Sequence, residues 1–267
     1  MKETVRSNNE IREKPLYNKF SIIVLGDACS GKTTLLDHLR GAGYSVRPEP
    51  ENPMFSLFLK NTKQYAYHNQ LYKTAQLMEQ ELQAAESTTE TETRFNESGV
   101  IATDIYNRYL RDHDLMTPDQ FEHLNGVYTH YLDTMPKPDL VVYLFADDDT
   151  IRQRAIMRDG LVAHDPKQLQ PYWDRLLKDL ESRGMPVYRV DTGAHPVGET
   201  AGMILQQAER LKDPKKVRQT VRETTSQKPQ ENQPEKPQDN SEDTESGVLE
   251  VEALYITAKL HADPKDR

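Results

Sequence analysis

An apolar, β-branched run, Phe20-Ser21-Ile22-Ile23-Val24-Leu25, leads directly into Gly26-Asp27-Ala28-Cys29-Ser30-Gly31-Lys32-Thr33, and a helix-forming stretch from Lys32 to Arg40 follows and stops at Gly41. The middle segment satisfies every fixed position of G-x-x-x-x-G-K-[ST]. Glycines there permit the tight turn that aims backbone N–H groups at phosphate oxygens, and the helix that follows presents the positive end of its dipole to the same anion. The phosphate-binding set is therefore expected to be Gly26, Asp27, Ala28, Cys29, Ser30, Gly31, Lys32, Thr33 and Thr34. Lys32 would reach the β- and γ-phosphates of ATP or a close relative, and the Thr33 hydroxyl would hold Mg²⁺.

The rest of the chain alternates strand and helix. Tyr44–Arg47 reads as a second, weaker strand, residues 62–86 as long helical segments, and Gly99-Val100-Ile101-Ala102-Thr103 as a third strand. Pro118 to Met135 reads as another helix, Leu140–Phe145 as a fourth strand and Val187–Val190 as a fifth. Strands separated by helices imply a parallel sheet covered on both faces, so the expected fold is α/β, a P-loop NTPase-type three-layer architecture with a five-stranded parallel sheet.

The expected organisation is a polar N-terminal extension (1–17), a folded domain (18–212), a disordered linker (213–247) and a short C-terminal segment (248–267). The linker is rich in Lys, Gln, Glu, Pro, Ser and Thr and poor in anything that nucleates a core. The short apolar pattern Val248–Ile256 admits a docking peptide for a protein partner and equally a marginal helix or strand without function. Acidic residues outnumber basic ones by 43 to 34, for a net charge of -9, which disfavours a broad nucleic-acid-binding surface. No apolar run approaches the roughly 18–20 residues of a membrane span, and Met1 to Asn18 lacks an apolar signal core, so a cytoplasmic protein without a membrane partner is expected. The single cysteine, Cys29, fits a reducing compartment. A homodimer remains open.

A P-loop alone does not separate kinases, GTPases, motors and regulators. The chain has no base-reading N-K-x-D and no apolar strand ending in the paired acidic residues of a motor site. It has instead an acidic segment after the second strand and an arginine-bearing helix after the fourth. Four ordered blocks carry a resemblance: Glu49-Pro50-Glu51-Asn52-Pro53, Gln64–Tyr72, Met135–Leu144 and Thr150–Arg158. With these blocks the chain resembles, over about 20–193, the deoxynucleoside kinase family, close to its bacterial deoxyadenosine/deoxyguanosine kinase branch.

The resemblance implies transfer of the γ-phosphoryl group of ATP to the 5′-hydroxyl of a deoxynucleoside, in nucleotide salvage and with Mg²⁺. Glu49 would be the carboxylate that accepts the hydroxyl proton, with Glu51 the competitor for that role. Gln70 would read the nucleobase, since its amide offers a donor and an acceptor to a purine edge, with Tyr67 beside it in the substrate-binding segment. Arg154 and Arg158, one helical turn apart, share a face suited to the spread charge of a transferring phosphoryl group; the alternative is a solvated face paired with Asp147, Asp148 or Asp149.

Two departures stand out. The family carries an Asp/Glu-Arg-Ser triplet at the end of its third strand, and placing Ile105-Tyr106 on the residues after it aligns Ala102-Thr103-Asp104 with that triplet. Asp104 would then take over Mg²⁺ or nucleophile positioning from a shifted place, with Arg108 or Arg94 replacing the arginine. The lid continues as Asp159-Gly160-Leu161 where the family has Gly-Arg. The rivals are a nucleoside monophosphate kinase, with Arg47 on the acceptor phosphate, and a catalytically impaired nucleotide-binding regulator.

Overall fold

A computed structural model of the protein describes residues 20–86, 93–159 and 166–212. The expected N-terminal extension, linker and C-terminal segment lie outside the described residues, as do Gly160 and Leu161 of the lid. The described elements run β1 (Phe20–Gly26), α1 (Lys32–Gly41), β2 (Ser45–Arg47), α2 (Phe55–Lys60), α3 (Thr62–Glu86), β3 (Thr93–Glu97), a 3-10 turn (Val100–Ala102), α4 (Thr103–Asp112), α5 (Pro118–Thr134), β4 (Leu140–Phe145), α6 (Asp148–Asp159), α7 (Pro166–Ser182), β5 (Val187–Asp191) and α8 (Val197–Lys212). No helix among them is long and apolar enough to cross a membrane.

The five strands form one parallel sheet in the order β2-β3-β1-β4-β5. Alternation along the strands sorts side chains to two faces. Ile22 and Val24 of β1, with Leu140, Val142 and Leu144 of β4, pack against Leu35, Leu36 and Leu39 of α1 and Ala201, Ile204 and Ala208 of α8. Ile23 and Leu25, with Val141 and Tyr143, pack on the opposite side against α2, α3, α4, α5 and α7, where Phe58, Leu77, Ile105, Leu124 and Trp173 are buried. These two clusters make the three layers expected from the sequence.

The third strand corrects the sequence expectation. Gly99–Thr103 is not a strand: Gly99 adopts φ 66°, which breaks an extended chain, and Val100–Ala102 turns into α4. The strand is Thr93-Arg94-Phe95-Asn96-Glu97, paired to β1 from Phe20↔Thr93 to Val24↔Glu97 and to β2 from Ser45↔Arg94 to Arg47↔Asn96. Its polar side chains are buried with partners: Arg94 donates to Ala84 O, and Thr93 Oγ1 accepts from Lys212 Nζ.

Placement of the site follows from this order. β1 sends the chain through α1 onto one face, whereas its neighbour β3 sends it through α4 onto the other. Where adjacent parallel strands part in this way a crevice opens beyond their carboxyl ends, the place where open α/β sheets gather ligands.

Candidate active site

The loop after β1 is built around residues in unusual backbone conformations. Gly26 (φ 150°) has no room for a side chain, since a Cβ there would stand 2.5 Å from Leu144 O and 2.5 Å from Ser30 Oγ. Gly31 (φ 92°) and Cys29 (φ 62°) complete the turn. Asp27 braces it from inside: its side chain accepts from Ala28 N at 2.7 Å and its carbonyl from Ser30 N at 3.2 Å. Helix α1 starts with no side-chain cap and no acidic residue in its first turn, so its leading N–H groups and positive dipole end face the loop mouth. Lys32 Nζ donates to Gly26 O (2.8 Å) and Asp27 O (2.9 Å), which folds the ammonium over the loop, while Thr33 and Thr34 are exposed beside it.

Arg154, on α6, meets this loop from the lid side. It donates to Thr192 Oγ1 (2.8 Å), Thr192 O (2.6 Å) and Cys29 O (3.3 Å). Arg158 lies one turn further along and is exposed. Asp147 caps α6 by accepting from Thr150 N (2.9 Å) and Thr150 Oγ1 (2.7 Å), and Asp148 faces Lys167 at 3.4 Å. No sequence motif singles out Thr192. It follows β5, and its hydroxyl lies 2.9 Å from Ser30 O and 3.1 Å from Phe145 O, which ties the P-loop, β4 and the lid arginine together. The only sequence signal for it is the turn-forming Asp191-Thr192-Gly193 after an apolar strand.

On the other side of the crevice, the two acidic candidates separate. Glu49 turns inward: Oε1 pairs with Lys73 Nζ at 2.6 Å and Oε2 accepts from Ser98 Oγ at 2.9 Å. Burial works to raise its pKa, but the Lys73 charge and hydrogen bond, the Ser98 hydroxyl and the Lys32 charge outweigh burial and hold the carboxyl below the usual value. Glu51 is exposed, and its backbone carbonyl is the group that is held, by Gln76 Nε2 at 2.8 Å. Asn52 fixes the segment to α3 by donating to Asn69 Oδ1 at 2.8 Å. Gln70 is fully buried on α3, and the Tyr67 hydroxyl lies 2.7 Å from His123 Nδ1 of α5.

Asp104 does not go where the sequence put it. It forms a largely buried ion pair with Arg108, 2.7 Å away and one turn along α4, with the Arg108 guanidinium over the Phe121 ring. Neither residue joins the P-loop. The error in register follows from the misplaced strand: β3 ends at Glu97, so the residues at the end of the third strand are Glu97-Ser98-Gly99 rather than Ala102-Thr103-Asp104. An acidic residue, Glu97, thus ends the third strand, and Ser98 rather than an arginine follows it. Arg94 cannot substitute, because it sits near the start of β3 and donates to Ala84 O at 2.6 Å. The cation that reaches Glu49 is Lys73, which the sequence does not single out because a lysine on a helix reads as solvated.

No group of three or more His, Cys, Asp or Glu side chains among the described residues is arranged to hold a metal ion. That is compatible with Mg²⁺ bound to a nucleotide, which takes most of its ligands from phosphate oxygens and water and few from protein.

The deoxynucleoside kinase family model matches residues 22–181, more than half of the chain. A deoxyguanosine kinase of Dictyostelium discoideum is 30% identical over 148 residues, 51% of this chain and 50% of the relative, so the chain spans about half the length of that curated relative. Among solved structures, a deoxyadenosine kinase from M. mycoides with bound dATP gives a TM-score of 0.60 at 20% identity, covering 71% of this chain and 100% of that one. The structure of deoxyadenosine kinase from M. mycoides with bound dCTP gives 0.58 at 20% identity, covering 71% and 99%. The likeness to these structures is one of fold.

Proposed function

The chain belongs to the deoxynucleoside kinase family, and on that premise we propose that it transfers the γ-phosphoryl group of ATP to the 5′-hydroxyl of a deoxynucleoside. The observation that carries this reading is the Glu49 carboxylate, held by Lys73 and Ser98 within the field of Lys32 at the P-loop mouth. An ionised carboxylate there accepts the hydroxyl proton as the acceptor oxygen attacks. Lys32 and the loop amides hold the phosphates, and Arg154 and Arg158 face the charge on the transferring group. Thr33, exposed at the start of α1, would hold Mg²⁺, which would supply positive charge against the phosphates. Gln70, with Tyr67 on the same helix, recognises the base; a purine fits the donor–acceptor pair of its amide and the names of the relatives. The lone Cys29 fits work in the reducing cytoplasm.

The test is ATP-dependent phosphorylation of the four deoxynucleosides, run beside the four deoxynucleoside monophosphates, with Mg²⁺ present. Product from a deoxynucleoside is expected. Turnover of monophosphates alone would move the acceptor from a hydroxyl to a phosphate, and turnover of neither would leave a nucleotide-binding protein without transfer activity.

A further inference from the structure

Lys73 stands on α3 three residues after Gln70, and positions three apart share a helix face. Its side chain is 13% exposed and its ammonium lies 5.2 Å from the centroid of the Tyr106 ring on α4, so it does not reach solvent as an ordinary helix lysine does. A cation this sheltered needs a counter-charge, and Glu49 Oε1 at 2.6 Å supplies it across 24 residues of sequence. The groups facing Glu49 come from four directions: Lys73 from α3, the neutral Ser98 hydroxyl after β3, the Lys32 charge from α1, and Glu97 at the end of β3, whose carboxylate accepts from Glu49 N at 3.4 Å. Lys32 is committed to the phosphates of the donor, and Glu97 is of like charge. Lys73 is therefore the cation dedicated to Glu49.

We propose that Lys73 is the positioning residue of the acceptor site, fixing the Glu49 carboxylate ionised and aimed at the attacking hydroxyl. This rests on the phosphoryl-transfer reading above. Lys73 acts through Glu49 and does not itself touch the reacting atoms. Its loss leaves burial opposed only by Ser98 and Lys32, so the carboxyl holds its proton to higher pH.

Lys73→Met, which preserves length and packing on Tyr106, and Lys73→Arg are compared with the wild type in the full-length protein. The acidic limb of kcat/KM for the deoxynucleoside should move up by about one pH unit or more in Lys73→Met, since that limb reports the base of the free enzyme. KM for ATP should stay within about twofold, and Lys73→Arg should restore the limb. An NMR titration of the Glu49 carboxyl carbon should shift in the same direction without reference to turnover. If both the limb and the carboxyl titration stay in place in a folded Lys73→Met protein, the assignment is overturned; should that variant not fold, Lys73→Gln is read in the same way. A wild type that phosphorylates no deoxynucleoside defeats the functional reading alone, and the carboxyl titration still decides whether Lys73 governs Glu49.

Discussion

Glu81 is a carboxyl group that the proposed reaction does not use, and its surroundings predict how stability varies with pH. It projects from α3 toward the turn after β3, accepts from Val100 N at 2.8 Å and from the Tyr131 hydroxyl of α5, and lies so near Gly99 that a Cβ there would stand 2.8 Å from its Oε1. Burial pushes its pKa up to about 7, against the opposing pull of the Val100 amide and the Arg94 charge. The unfolded chain releases this proton near 4.5 and the native chain near 7. Between those values the native state holds more protons than the unfolded state, so stability falls as pH rises. The contribution is fully present below about pH 4.5 and is lost as pH passes through about 7. The gap between 4.5 and about 7, at about 1.36 kcal/mol per pH unit, corresponds to roughly 3.4 kcal/mol, most of which is lost between pH 5 and 8.

Glu81→Gln retains an acceptor for the Val100 N–H and removes the proton equilibrium. Urea unfolding at pH 5, 6, 7 and 8 isolates its effect as the difference between variant and wild type, because the other titrating groups cancel. The variant should lie close to the wild type near pH 5 and exceed it by roughly 2.5 kcal/mol at pH 8, which for a domain of this size raises Tm by about 5–10 °C. A difference that stays flat within about 0.5 kcal/mol from pH 5 to 8 would show that Glu81 does not titrate in this window and that its burial is relieved by water or local opening.

Lys32→Ala should lower phosphoryl transfer by at least about 10²-fold with little change in Tm, because the side chain meets only loop carbonyls; unaltered ATP affinity and turnover would remove it from the phosphate site. Glu49→Gln should cut kcat by roughly 10²–10⁴-fold and leave ATP affinity in place, while Glu51→Gln, whose side chain is exposed, should be nearly silent; the reverse pattern assigns the base to Glu51. Thr192→Val keeps the shape but deletes the hydroxyl that links Arg154, Ser30 O and Phe145 O, so a several-fold rise in KM for ATP is expected, measured by initial rates, and an unchanged KM argues against Thr192 as a strut of the donor site.

What the sequence disclosed and what it concealed follow one physical division. β1 and β4 announce themselves because both their faces are buried against helices, which demands nearly continuous apolar side chains. The P-loop does so because only glycine meets the backbone demands at Gly26. β3 is buried too, yet its Thr93, Arg94 and Asn96 bond to partners outside the strand, Lys212, Ala84 and Ser21, and such pairings leave no periodic trace. The apolar Val100-Ile101-Ala102 imitates a strand in its place, so the sequence puts the end of the third strand at Asp104 where the structure puts it at Glu97. Lys73 was lost for the same reason. Its importance lies in one contact with Glu49, across the gap between α3 and the segment after β2, and a charged residue reveals such a role only when its counter-charge is located. The acceptor side of the crevice is assembled from polar pairs of this kind, whereas the phosphate side is assembled from backbone, so a local motif records one half of the site and folding brings together the other.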